Sequence, residues 1–197
     1  MRLEDGEVAV RLARDAMESV TLERDVNEVS LPGGFMESRG VFVTINTHPD
    51  GGLRGCIGYP EPIMSLGKAI IKASEGACND PRFQALTADE LDHVVVEVSV
   101  LTRPEEVLVG DRLSLPDEVV VGRDGLIMEM GPFRGLLLPQ VPVEWGWDSR
   151  TFLSQTCVKA GMTPDCWMDR STKVYSFQAE VFTETSPRGD VVRKPLR

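Results

Sequence analysis

Leu53-Arg54-Gly55-Cys56-Ile57-Gly58 is the returning arm of a predicted β-hairpin, and the rest of the fold is predicted outward from this hexapeptide. The run before it, residues 41–45, is β-branched and aromatic, and residues 46–52 are rich in turn formers. After it, prolines end the strand, and residues 66–78 carry apolar side chains at helical spacing. The pattern therefore predicts two antiparallel strands followed by a helix.

Helical spacing, strand patterning and turn residues predict the other elements. They are a helix over residues 4–20, a capped helical turn at Thr87–Glu90, a strand over 94–101, short antiparallel strands up to residue 138, a helix from Asp148 or Ser149 to Ala160, and a strand over 174–182. Residues 185–197 are polar, contain two prolines, and are expected to form a mobile tail.

Three features of the first half of the chain recur about 80 residues later. They are the tripeptides Leu53-Arg54-Gly55 and Phe133-Arg134-Gly135, the helices that carry Cys78 and Cys157, and the strand residues 97–102 and 178–183. Each half would expose an apolar sheet face that it cannot cover alone. The alternative is that such runs occur in any α+β protein.

From this repetition we expect an α+β fold in a single domain over residues 1–197. Its curved, largely antiparallel sheet would be built from two β-β-α-β units, residues 40–104 and 120–184, with helices packed outside. If an internal duplication produced these units, the seam between them is the natural place for a pocket.

Composition and charge exclude several classes of function. The chain has 31 acidic and 21 basic residues and a net charge of -10, so nucleic acid and anionic lipid are poor partners. It contains no long apolar run, so we expect an acidic cytoplasmic protein. The four cysteines are expected to be free thiols because the chain is not expected to be secreted; they contain no C-x-x-C pair, and no metal site is expected.

The hexapeptide resembles the motif of the AMMECR family. The similarity continues through Asp80-Pro81-Arg82-Phe83, residues 98–101 and residues 137–141, so it covers most of the chain. The resemblance implies an α+β domain with a larger and a smaller lobe, and a family for which no reaction is established. The residues at the family's motif positions are Arg54, Gly55, Cys56, Gly58, Asp80 and Arg82, whereas Cys78, Cys157, Cys166 and His48 lie outside them.

The chemistry of the hexapeptide has a functional and a structural interpretation. Gly55 and Gly58 flank Cys56 on a strand, where glycine usually marks a bulge or a close neighbour. In the functional interpretation Cys56 is a catalytic nucleophile and a ligand lies against it. Arg54 holds an anion and activates the thiol. In the structural one, another element packs over the arm and Cys56 is a small buried hydrophobe. Regular alternation puts Arg54 and Cys56 on one face, and a bulge at Gly55 would remove that relation.

The loop after the second helix offers further candidates. Arg82 joins Arg54 around an anionic ligand, or Asp80 and Arg82 only fix the loop by capping and ion pairing. Phe83 is expected to fill the core.

Gln140 is the remaining candidate ligand-binding residue. It lies in residues 138–142, which are predicted to form an edge segment because two prolines cannot donate to a β-ladder. There it would point into the cleft. His48 and His93 are expected at the surface, so neither supports a Cys–His dyad. The three tryptophans, Trp145, Trp147 and Trp167, either line an aromatic wall or pack in the core.

Two hypotheses of function follow. In the first, the chain is a small-molecule binding or thiol-dependent enzymatic domain that uses Arg54 and Cys56, helped by Asp80 and Arg82, on an anionic or electrophilic compound. In the second, it is a non-catalytic protein-interaction or regulatory module. The sequence identifies no cofactor, leaves the partner open between a small molecule and a protein, and is compatible with a homodimer.

Overall fold

The structure is a computed structural model that describes residues 1–27 and 30–195. Its helices are α1 (Leu3–Thr21), α2 (Leu66–Cys78), α3 (Leu115–Glu118), α4 (Gln140–Glu144) and α5 (Ser149–Lys159). Its strands are β1 (Val41–Thr47), β2 (Leu53–Tyr59), β3 (Val94–Leu101), β4 (Glu105–Glu106), β5 (Asp124–Met130), β6 (Phe133–Leu137), β7 (Lys173–Glu184) and β8 (Val191–Lys194). Short 3-10 helices cover Gly33–Met36, Ala88–His93, Arg112–Ser114 and Cys166–Met168.

The chain divides into two compact units. Unit 1 comprises Met1–Leu101 and Glu180–Pro195, and unit 2 comprises Thr102–Ala179. In unit 1, β1 lies between β2 and β3 with antiparallel pairing on both sides. The last residues of β7 pair with β8, also antiparallel. Helices α1 and α2 share one apolar core with the alternate valines of β1 and β3.

The other face of the β1–β3 sheet carries a row of polar side chains. Because side chains alternate along a strand, Thr44 of β1 lies on the face opposite the buried Val43 and Ile45. Thr44 pairs in register with Cys56 of β2 on one side and with Glu97 of β3 on the other. A thiol, a hydroxyl and a carboxylate therefore form one row across three strands.

Unit 2 repeats the element order of unit 1 around its own core. β5 lies between β6 and β7, and β4 pairs with β7, all antiparallel. Phe152 and Leu153 of α5 pack against this sheet together with the buried Trp167. The cap of α5 is Asp148, whose carboxylate accepts the backbone N–H of Thr151.

The predicted fold class is confirmed: the chain is an α+β protein with an antiparallel sheet. The succession β1-β2-α2-β3 in unit 1 returns as β5-β6-α5-β7 along the second half of the chain. The origin of this order by duplication, and the assignment of residues 1–197 to one domain, stay predictions. None of the helices in residues 1–27 and 30–195 has the length and apolarity needed to cross a bilayer.

The structure differs from the predicted mobile tail over most of residues 185–197. β8 pairs with β7 from Val181 to Glu184, and Val191 joins the apolar core of unit 1. Lys194 also forms an ion pair with Glu97, at 2.8 Å. These contacts hold the segment in place, whereas residues 196–197 lie outside the described part of the chain.

Two further predictions are wrong. Residues 138–142 do not form an extended edge segment, because α4 begins at Gln140 and its prolines lie within or just before this short helix, where a missing N–H costs little. The four cysteines are not all thiols, because Cys157 and Cys166 form a disulfide. The loop after α5 brings their Cα atoms to 5.9 Å, within the range that a disulfide spans.

Candidate functional site

The hexapeptide forms an edge strand with a bulge at Arg54. Gly55 pairs with Ile45 and Leu53 pairs with Asn46, so Arg54 lies opposite no residue of β1. A bulge re-aims the side chain of the extra residue. The bulge lies at Arg54 and not at Gly55, so regular alternation does not relate the side chains of Arg54 and Cys56.

Asp80 and Arg82 occupy the place that a next strand would take beside β2. The backbone N–H of Cys56 donates to Oδ2 of Asp80 at 2.9 Å, and Nη2 of Arg82 donates to the carbonyl of Cys56 at 3.3 Å. Arg82 also donates to Asp80 through Nε at 3.0 Å and through Nη2 at 2.6 Å. These bonds give partners to the backbone N–H and C=O of Cys56 at the strand edge and bring a guanidinium to this residue.

The same bonds perturb both charged groups. The hydrogen bonds from Arg82, with those from the backbone of Cys56 and Arg82, hold the pKa of the buried Asp80 carboxyl well below its usual range. The hydrogen bond to Asp80 raises the pKa of Arg82, and the charge of a Cys56 thiolate adds to that rise. Arg82 also donates to the backbone carbonyl of Cys56, which places its guanidinium next to this residue.

Arg54 turns to the 3-10 helix after α2. Its Nε and Nη2 donate to the two carboxylate oxygens of Glu90 at 2.7 and 3.0 Å. Glu90 also accepts from the backbone N–H of Thr87, as the predicted capping box requires. The hydrogen bond from Arg54 lowers the pKa of Glu90 to about 2, and the same bond raises the pKa of Arg54.

Phe83 lies between these two ion pairs. The guanidinium carbons of Arg54 and Arg82 are 6.0 and 5.6 Å from the centre of its ring. The expectation that Phe83 fills the core is wrong, because the ring is 37% exposed and the two cations take the place of apolar neighbours. In the described part of the chain, Nη1 of both arginines is without a hydrogen-bond partner.

Cys56 and Cys78, the free cysteines, have contrasting environments. The side chain of Cys56 is half-buried, and the hydroxyl of Thr44 donates to its sulfur at 3.3 Å. Cys78 is buried in the core of unit 1, and burial raises the pKa of its thiol to about 11.

The two glycines of the hexapeptide make room for protein groups. A Cβ on Gly55 would overlap the backbone carbonyl of Ala77, near the end of α2. A Cβ on Gly58 would overlap the ring of Phe42, its neighbour on β1. The structural interpretation therefore accounts for the absence of side chains at both positions.

The structure brings four of the candidate site residues together within unit 1, and a further candidate, Gln140, belongs to unit 2. Arg54, Cys56, Asp80 and Arg82 surround the outer edge of β2 in unit 1. Gln140 belongs to unit 2, where its buried amide oxygen has no partner among the described residues.

Both histidines are exposed at the surface, as expected. Sequence reasoning missed Thr44 and the second role of Glu90. Strand register and a contact across 36 residues determine these roles, and neither leaves a local signal.

Unit 2 has surface features of another kind. A cavity of about 570 Å³ is lined by three methionines (Met130, Met162 and Met168) with Phe133. Trp145 is 70% exposed and stacks on Trp147 at 6.1 Å, while Trp167 is in the core. Within residues 1–27 and 30–195, no cluster of three His, Cys, Asp or Glu side chains could hold a metal ion.

Comparison with known proteins gives one consistent family. The AMMECR1 family model matches residues 10–182. The chain is 54% identical to protein TK0174 of Thermococcus kodakarensis, covering 97% of this chain and 96% of that one, and 48% identical to protein MJ0810 of Methanocaldococcus jannaschii, covering 100% and 98%. The crystal structure of uncharacterized protein PH0010 from Pyrococcus horikoshii is similar with a TM-score of 0.87 and 51% identity, over 98% of both chains. The names of these three relatives state no activity.

Proposed function

The chain belongs to the AMMECR1 family, and from this premise we propose that it binds a small anionic molecule at the outer edge of β2, beside Cys56. Arg54, Arg82 and Phe83 form the binding surface. Asp80 and Glu90 hold the two guanidinium groups. Gly55 and Gly58 allow α2 and the ring of Phe42 to pack closely against β2.

One observation carries this proposal: two arginines, each anchored by a carboxylate, lie within 6.0 Å of one exposed aromatic ring. The anchoring fixes each guanidinium through Nε and Nη2 and leaves Nη1 for a ligand. A site whose donors are already oriented loses less conformational entropy on binding.

The charges favour a ligand with one anionic group and a flat apolar part. Arg54 and Arg82 are balanced by Glu90 and Asp80, so the cluster has no net charge. The whole chain carries -10, which opposes the approach of a polyanion. A planar group can instead lie on Phe83 while its anionic end meets the guanidinium groups.

Thermal unfolding with benzoate, acetate and inorganic phosphate tests the proposal. Benzoate combines a ring with a carboxylate, so it should raise the melting temperature more than acetate at equal concentration. A ligand at 100 times its Kd stabilises the folded state by about 2.7 kcal/mol. Arg54→Ala, Arg82→Ala and Phe83→Ala should each reduce the shift.

Arg123→Ala is the matched control. Arg123 is 54% exposed and pairs with the buried Asp124, as the 56% exposed Arg82 pairs with Asp80. It lies in unit 2, so its loss should leave the benzoate shift unchanged. An equal shift in wild type, Arg82→Ala and Arg123→Ala would refute binding at this edge.

The surface of unit 2 supports the second candidate, a protein-interaction module. An exposed tryptophan stacked on another, and a methionine-lined cavity, are typical of surfaces that bind apolar side chains. This function is favoured if the anions give no shift and if Cys56 reacts only after denaturation.

A further inference from the structure

We propose that Cys56 is a reactive thiol, that Thr44 assists it through a hydrogen bond to sulfur, and that Arg82 directs electrophiles with an anionic group to it. This inference rests on the proposed anion site and adds a covalent step to it.

The row of side chains across β2, β1 and β3 is the first support. Thr44 lies between Cys56 and Glu97 in register, and its hydroxyl donates to the sulfur at 3.3 Å. A donor directed at sulfur stabilises the negative charge on the attacking atom. The row therefore supplies a hydrogen-bond donor to the sulfur, while the thiol proton goes to water.

The charged groups around the thiol are the second support. Arg82 reaches the backbone carbonyl of Cys56 at 3.3 Å from the loop after α2. On the opposite side of Thr44, Lys194 of β8 pairs with Glu97 at 2.8 Å, so the carboxylate is balanced by a cation. The acidic partner of Arg82, Asp80, points to the backbone N–H of Cys56. Because Asp80 balances the charge of Arg82, an anion is held by a hydrogen bond from the remaining Nη1 of Arg82, near the half-buried sulfur.

The covalent step is a nucleophilic substitution at carbon. The thiol first gives its proton to water. The thiolate then attacks the electrophilic carbon, so a sulfur–carbon bond forms, and the leaving group departs with the electron pair of the bond that breaks. No electron acceptor or donor is required.

The protein contains its own references for this chemistry. Cys78 is the same residue type but is buried in the core. Cys157 and Cys166 are joined in a disulfide. Alkylation of the native protein therefore reports on Cys56, and Cys56→Ser supplies the blank.

The test compares the alkylation rates of native protein by iodoacetate, which is anionic, and iodoacetamide, which is neutral. The ratio of the two rates is measured for Cys56 by peptide mass spectrometry and for glutathione in the same buffer. We expect the ratio to be about tenfold higher for Cys56 than for glutathione, as one hydrogen bond from Arg82 to the carboxylate of iodoacetate allows. Inorganic phosphate should slow the iodoacetate reaction of the wild-type protein and should spare the iodoacetamide reaction.

Substitutions separate the two contributions. Thr44→Val should slow both reagents about fivefold, the effect of one weak hydrogen bond, while Thr44→Ser restores the rate. Arg82→Ala should bring the ratio to the glutathione value, and Arg123→Ala should not change it. Because wild-type protein with phosphate already tests the charge effect, the result does not depend on the folding of Arg82→Ala.

The inference is overturned if Cys56 reacts only after denaturation, or if its ratio equals that of glutathione. The benzoate melting shift is measured separately, so either failure leaves the proposed binding function to be judged on its own result. Loss of both the shift and the ratio would reject the two proposals together.

Discussion

At the scale of single residues, the site depends on carboxylates that do two jobs. Glu90 caps the 3-10 helix through Thr87 and also receives both donors of Arg54. Asp80 accepts the backbone N–H of Cys56 and also holds Arg82. A guanidinium fixed at two points keeps its orientation, because the planar fork matches the two carboxylate oxygens. The same carboxylates therefore fix both the local backbone and the orientation of the two arginines.

The first prediction concerns the pH dependence of the Arg54–Glu90 pair. In the folded state the pKa of Glu90 is lowered from 4.5 to about 2 by the hydrogen bond from Arg54. The pair therefore stabilises the fold above pH 4.5 and loses that effect as the pH falls through 2. Wild type should exceed Glu90→Gln in unfolding free energy by about 1 kcal/mol at pH 6, a modest value because Glu90 is partly exposed to solvent. Urea unfolding from pH 6 to pH 2 measures the difference.

The control for this pair is Glu4→Gln. Glu4 pairs with Arg2, but both side chains are more than three-quarters exposed. We expect little effect of Glu4→Gln at any pH. A difference between wild type and Glu90→Gln that stays constant down to pH 2 would contradict the proposed linkage.

At the scale of elements, both units bring the end of a helix against an arginine–glycine strand. Gly55 of β2 receives the backbone of Ala77, and Gly135 of β6 receives the backbone of Ala160. In each unit the neighbouring atoms belong to main chain, which cannot rotate away as a flexible side chain can. The glycine of each Arg-Gly dipeptide thus has the same structural cause in both units.

The second prediction is that Gly55→Ala and Gly135→Ala each destabilise the protein by about 2–3 kcal/mol, through overpacking against backbone. Gly34→Ala is the control, because nothing lies within 4 Å of the added Cβ. It should change the unfolding free energy by less than about 0.5 kcal/mol. Chemical denaturation of the three variants measures this, and equal midpoints would show that the strand can move away from its helix.

Most elements could be predicted from local patterns, and the exceptions have physical causes. α2 and β3 follow from apolar spacing, and the Thr87–Glu90 cap follows from a side-chain pattern that acts within one turn. β8 is only four residues long and lies in a polar segment with two prolines, so its pairing with β7 is what makes it a strand.

The same distinction explains the candidate site. The residue types of Arg54, Cys56, Asp80 and Arg82 were recognisable. Their partners depend on a bulge and on contacts between distant segments, as does the pairing of Cys157 with Cys166.

At the scale of the whole molecule, covalent and ionic links tie together segments that are distant in the sequence. The disulfide in unit 2 closes a short loop after α5, and both of its sulfurs are in the core. In unit 1, Arg14 of α1 pairs with Glu184 of β7, although 170 residues separate them. Reduction of the disulfide should therefore lower the stability of unit 2, and loss of one buried charge should lower the stability of unit 1.

The third prediction is that reduction of the Cys157–Cys166 disulfide lowers the unfolding free energy by about 2–3 kcal/mol, the effect expected for a loop of roughly ten residues. Guanidinium unfolding with and without reductant measures it. The double variant Cys157→Ser/Cys166→Ser should lose the dependence on reductant, whereas Cys56→Ser should keep it. Equal midpoints for wild type in both buffers would contradict the prediction.

The last prediction concerns the buried pair Arg14–Glu184, whose side chains are 5% and 0% exposed. Arg14 also donates to the carbonyls of Leu91 and Val94, and Glu184 accepts the backbone N–H of Val96, so the pair links α1, β7 and β3. Arg11 also lies 3.8 Å from Glu184, so Arg14→Met leaves Glu184 with one weaker cationic partner, whereas Glu184→Gln leaves the buried Arg14 without a carboxylate, at a cost of about 3–5 kcal/mol. We therefore expect Arg14→Met and Glu184→Gln each to be strongly destabilising.

A double-mutant cycle distinguishes this coupling from simple loss of packing. If the two charges compensate each other, Arg14→Met/Glu184→Gln should be less destabilised than the sum of the single variants by at least about 1 kcal/mol. Arg2→Ala, in a pair exposed to solvent, should change the unfolding free energy by less than about 0.5 kcal/mol. Strict additivity of the two single effects would mean that each side chain acts through its backbone hydrogen bonds alone. In that case the ion pair would not be what joins the first helix to β7.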